Sequence, residues 1–154
     1  MEQIFTMASD EEVLSIFYNM RLKLYTAPPG MTFVTSDQPV SLFHPAAAIN
    51  PYGFGPGMNG VQITFPLSSN KLILLEHSSE THEDRVATNE EVHEFNRRTI
   101  AMATNYVFAP SPSQEFLDLC EKTKSIRVGF IFDNLDYGEG LEQVQRYQAL
   151  GPSI

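Results

Sequence analysis

The chain reads as an α+β domain, a mainly antiparallel sheet of about six strands with helices packed on one face. Three observations predict this. Strand-like runs follow one another in hairpin order, without the regular strand-helix alternation that a doubly wound parallel sheet requires. Amphipathic helical stretches are few and separated by those runs. The 154 residues, 42% of them hydrophobic, suit one domain, residues 1–154. A chain of this size buries roughly two-thirds of the surface its unfolded form exposes, so it needs no disulfide or structural metal. Its single cysteine permits no internal disulfide.

Ser9 before Asp10, Glu11 and Glu12 is a helix start, because the hydroxyl accepts from an open amide and early acids suit the positive helix end. The helix runs to about Met20 with Val13, Ile16, Phe17 and Met20 on one face. From Arg21, Leu22 and Leu24 alternate with Lys23 and Tyr25, a strand pattern. Ala27-Pro28-Pro29-Gly30 forces a turn, and Met31–Thr35 is expected to return as a strand paired with the one before it. Pro39 bends the chain before Val40–Phe43 resumes. Residues 45–60, rich in proline and glycine, read as a long surface loop, and the Gly53–Gly60 run within it as a flexible lid or interaction loop. Two strands follow, Val61–Pro66 and Lys71–Glu76, joined by Leu67-Ser68-Ser69-Asn70, whose polar side chains suit a tight turn.

Thr88 with Glu91 has capping-box spacing and opens a helix to about Thr104. At 100° per residue Val92, Phe95, Asn96, Thr99, Ile100 and Ala103 share its inner side, which places an amide on an apolar stripe. Asn105–Phe108 is a strand closed by Ala109-Pro110. Ser113–Lys122 is a short helix with Phe116, Leu119 and Cys120 inward, and Ser125–Phe132 is a last strand. Asp133–Glu139 reads as a solvated turn, and Leu141–Tyr147 as a short helix.

Nineteen acidic against ten basic residues give a net charge of −9. That charge repels nucleic-acid backbone and argues against general nucleic-acid binding. No apolar run approaches the roughly 20 residues of a membrane span, and the opening residues lack the basic start and apolar stretch of a signal peptide, so a soluble, cytoplasmic protein without membrane association is expected. The oligomeric state is not legible.

Asp37 sits where a strand meets a proline-forced bend. The usual Asx-turn partner, the amide two residues on, is missing because that residue is Pro39, so the carboxylate must bond elsewhere or face a pocket. Asn96 needs hydrogen-bond partners on its buried face, from strand backbone or from a pocket edge beside Asp37. These two are the candidate catalytic residues. Ser36, Ser68 and Ser69 are the candidate substrate-binding hydroxyls, expected at the same cavity. Arg97 and Arg98 turn away from Asn96 and are expected in surface ion pairs with neighbouring glutamates. His44, His77, His82 and His93 have no metal-ligand spacing, so neither a metal nor another cofactor is expected. The Gly53–Gly60 run lacks the Gly-Lys-Ser/Thr ending of a phosphate loop, and neither serine has a G-x-S-x-G elbow. Cys120 reads as a packed thiol.

Phe33-Val34-Thr35-Ser36-Asp37-Gln38-Pro39-Val40, Phe65-Pro66-Leu67-Ser68, and Asn96 followed by the Tyr106-Val107 strand together resemble domain-of-unknown-function family 4238. The resemblance covers about residues 31–109. It lacks a His-Tyr-x-Pro-x-x-Tyr-Leu segment with which the longer members begin, so the chain looks like the C-terminal part of such a protein or a shortened member. The resemblance implies no established reaction and supports the choice of Ser36, Asp37, Ser68 and Asn96. Three functions fit the residues. The first is a binding or interaction domain whose acidic surface suits a basic protein partner. The second is a hydrolase of phosphodiester or ester substrates using Asp37 as base or metal ligand and Asn96 for orientation, and the third is an acidic mimic of nucleic acid.

Overall fold

A computed structural model of the protein describes residues 11–46, 54–78, 84–123, 129–136 and 141–148. The helix cap at Ser9 and Asp10, the middle of the loop at 47–53, His82 and the start of the strand at Ser125 lie outside those residues. The fold is α+β. Strands β1 (Arg21–Thr26), β3 (Ser41–Phe43), β4 (Gln62–Ser68), β5 (Lys71–Glu76) and β6 (Arg85–Val86) form a five-stranded sheet in the order β3-β4-β5-β1-β6. Its pairs are antiparallel except β1 with β6. β2 (Thr35–Ser36) pairs with β7 (Val107–Phe108) in a separate ribbon. The helices are α1 (Glu11–Asn19), α2 (Asn89–Met102) and α3 (Gln114–Thr123).

The turn at Pro28–Met31 forms as its residues dictate. The Met31 amide donates to Pro28 O at 3.1 Å and Gly30 takes φ +84°, the position where a type II turn favours glycine. The hairpin expected from it does not form. β1 already has β5 on one edge and β6 on the other, so the returning segment has no free ladder there. It crosses the sheet end instead: Phe33 N donates to Ser69 O at 2.8 Å, and pairing starts only at Thr35, with β7.

α2 starts on the expected capping box, in which Thr88 accepts from the Glu91 amide while the Glu91 carboxylate accepts from the Thr88 amide. Its Val92 and Phe95 pack with Tyr25, Phe33, Leu72, Leu74 and Ala87 on one face of the sheet. Tyr25 meets Phe95 edge-on at 5.1 Å. A second apolar cluster joins Met20, Leu42, Phe54, Val61 and Ile63. Phe54, from the proline-glycine loop, contributes to it, and two histidines hold the neighbouring backbone. His44 stacks on Phe54 at 3.7 Å and bonds Asn59 O, and His77 bonds Pro56 O at 2.8 Å.

Residues Gly129–Asp136 and Leu141–Gln148 form an antiparallel hairpin, β8–β9. This corrects both the turn expected at Asp133–Glu139, which is strand as far as Asp136, and the helix expected at Leu141–Tyr147. A short stretch with mixed apolar spacing suits either period, and here cross-strand pairing decides.

Candidate functional site

Asp37 and Asn96 both bond backbone, at different levels of the molecule. Asn96, 8% exposed, receives the Val34 amide on Oδ1 at 3.0 Å and donates through Nδ2 to Thr32 O at 2.8 Å. Its amide thus takes the place of a neighbouring strand for a segment that left its own ladder, because a carboxamide presents the same donor-acceptor pair as a peptide unit. Asp37 accepts from the Thr104 amide at 2.9 Å and the Asn105 amide at 2.8 Å, just past the end of α2, and its own amide donates to Tyr106 O. Residual desolvation raises the Asp37 pKa, but the Asn105 and Thr104 amides outweigh it and hold the carboxyl below its ordinary 3.8.

Ser36 is buried, and its hydroxyl accepts from the Gln38 amide. Ser68 donates to Asn70 Oδ1 and accepts from the Asn70 amide, closing the β4–β5 turn. The expected single cavity is replaced by two neighbouring ones. Asn96 lines a groove of about 470 Å³ between residues 30–34, α2 and α3. Ser68 and Ser69 line a smaller one of about 290 Å³ with Pro66, Leu67 and Phe108. Val34 and Ala109 form the wall between the two, and Asp37 lines neither.

The larger groove has an apolar floor of Met31, Val34, Phe116 and Leu119, with Thr32, Ser111 and Ser113 along it. At its mouth His93 Nε2 lies 3.3 Å from Glu115 Oε1, where α2 faces α3. Ser113 caps α3 by accepting the Phe116 amide on its hydroxyl. The pairing of His93 with Glu115 escaped the sequence reading, which weighed His93 only as a metal ligand, because the two are 22 positions apart and their helices meet only in the fold. The signal available was that His93 precedes Asn96 by three residues and so shares its side of α2.

Arg97 and Arg98 pair with Glu94 as expected, but as buried residues, not at the surface. Burial pushes the Glu94 pKa up, and the two guanidiniums more than offset this, leaving it below 4.5. Arg98 stacks at 3.6 Å over the Phe43 ring and donates to Gln62, which donates in turn to Glu76, itself paired with Lys23. Cys120 is half-buried, and burial, with help from Glu121, raises its thiol pKa. Among the described residues no three His, Cys, Asp or Glu side chains are placed to share a metal ion, and no helix is long and apolar enough to cross a membrane.

A family described as "Protein of unknown function (DUF4238)" matches residues 2–113. The match extends well before residue 31, through α1 and β1. It lies toward this chain's N-terminal end, which corrects the expectation of a C-terminal part. No curated protein and no solved structure matches.

Proposed function

Since the chain belongs to the DUF4238 family of proteins of unknown function, we propose from its geometry that it is an interaction domain that takes a segment of a basic partner into the groove between residues 30–34, α2 and α3. The observation that carries this reading is the contrast between Asp37 and the groove. Each oxygen of Asp37 receives one backbone amide, which assigns the carboxylate a bracing role at the end of α2, and it lines neither groove. The groove combines an apolar floor with the Glu115 carboxylate at its mouth, on a chain of net charge −9. Apolar anchoring beside a single rim carboxylate, on a strongly acidic chain, suits a segment that mixes Lys or Arg with bulky apolar residues.

The test is fluorescence anisotropy against a library of such peptides at low and high salt, with Glu115→Lys and Leu119→Asp variants. Binding that weakens with salt and with either substitution is expected. Failure of every peptide to bind, or binding indifferent to both substitutions, refutes the reading. The hydrolase reading makes a separate demand: turnover of phosphodiester or ester substrates that disappears in a folded Asp37→Ala variant.

A further inference from the structure

The carboxylate at the mouth of the groove does not stand alone. His93 Nε2 on α2 lies 3.3 Å from Glu115 Oε1 on α3. Among the described residues these are the two ionisable side chains that line the groove, and both are open to solvent, at 42% and 74% exposed. A partner that reaches one therefore meets the other.

Imidazole is the side chain whose ordinary change of charge falls between about pH 5 and 8. Its two states act oppositely here. Neutral His93 leaves the negative charge of Glu115 to an incoming guanidinium or ammonium. Protonated His93 holds that carboxylate as an ion pair and sets a positive charge beside the place the incoming cation takes, so the two cations compete.

Nothing packed around the ring reverses this sign. Residues 30–34 and 109–113 contain no ionisable side chain. On α2, Glu90 lies one turn before His93 and interacts with its charge, while Arg97, one turn after, is bound to Glu94. On α3, Asp118 lies one turn beyond Glu115 and receives the Gln114 side chain. Carboxylates ordinarily titrate near 4, so His93 is the group at the mouth whose charge changes across the neutral range.

We infer, resting on the docking of a basic segment proposed above, that His93 makes this docking proton-linked: the segment binds more tightly while the ring is neutral and loosens as the ring takes up a proton.

The probe is a rhodamine-labelled peptide of arginine, leucine and phenylalanine, whose cations do not titrate in this range. Its anisotropy is measured with the full chain at about pH 5.5 and about pH 8. Exposed ion pairs are weak, so the expected gain in affinity at the higher pH is about two- to fivefold. His93→Gln should bring the two affinities together, and His93→Lys, charged at both pH values, should bind weakly at both. The same peptide with citrulline in place of arginine should bind alike at both. Equal wild-type affinities, a dependence that survives in His93→Gln, or the same dependence with the citrulline peptide overturns the proton linkage and leaves the docking reading standing. Absence of binding at either pH overturns both.

Discussion

Replacing Asn96 by alanine removes the one side chain that substitutes for a strand alongside residues 32–34. Two backbone groups lose their partner. The Val34 amide belongs to a residue 3% exposed, and leaving it without an acceptor costs about 1–3 kcal/mol. The Thr32 carbonyl belongs to an exposed residue that water can reach, so its loss is closer to the net value of one hydrogen bond, about 0.5–1 kcal/mol. Together they predict destabilisation by about 1.5–4 kcal/mol. In urea, with a slope of roughly 2 kcal/mol per molar for a chain of this size, the midpoint should fall by about 1–2 M. Circular dichroism at equilibrium reads it directly. Asn96→Asp refines the measurement, since a carboxylate still accepts the Val34 amide but opposes the Thr32 carbonyl with lone pairs. That variant should recover stability as the acid protonates. A loss under about 0.5 kcal/mol for the alanine variant would falsify the bracing role, because it would mean that the segment holds its path without the amide.

Other perturbations reach other parts of the frame. Asp37→Asn is expected to lower the melting temperature at neutral pH, since an amide offers the Thr104 and Asn105 amides one acceptor instead of two; a difference that persists undiminished once wild-type Asp37 is protonated contradicts this. Asp37 and Glu94 both have folded pKa values below their unfolded ones. Their contribution is fully present above the unfolded values near 4 and is lost as pH falls through the lower folded values. A pH titration of melting temperature should therefore show wild type losing stability below about pH 4 more steeply than Asp37→Asn. Gly30 and Gly60 both have positive φ, but a Cβ at Gly30 meets nothing while one at Gly60 comes 3.0 Å from His44 Nε2. Urea unfolding should show Gly30→Ala losing about 1 kcal/mol from the backbone alone and Gly60→Ala clearly more; equal losses contradict the close approach.

What the sequence revealed and what it hid follow from the range of the interactions. The capping box at Thr88, the turn at Pro28–Met31 and the β4–β5 hairpin are local, and each forms where the residues indicate. The path of residues 31–36 is not local: it depends on β6, about 50 positions further along, occupying the edge of β1 that a returning strand needs. The same distance hid the partners of Asp37, which lie 67 and 68 positions along the chain. The missing Pro39 amide did correctly exclude the nearest alternative.

Arg98 shows where pattern reading fails for a physical reason. Helical periodicity places it off the Val92 stripe, which for a charged residue means solvent, yet its guanidinium lies beneath the helix against Phe43. A long side chain with a planar, weakly hydrated head can cross the boundary that its Cβ position sets. Burial, with help from the Arg97 charge, lowers the Arg98 pKa despite Glu94, so the guanidinium depends on that carboxylate to stay charged in its place. Glu94→Gln should accordingly destabilise far more than the exposed Glu90→Gln, because it leaves a buried guanidinium without its counter-charge. Comparable urea midpoints for the two variants would show that Gln62 and the Phe43 ring suffice to hold the charge.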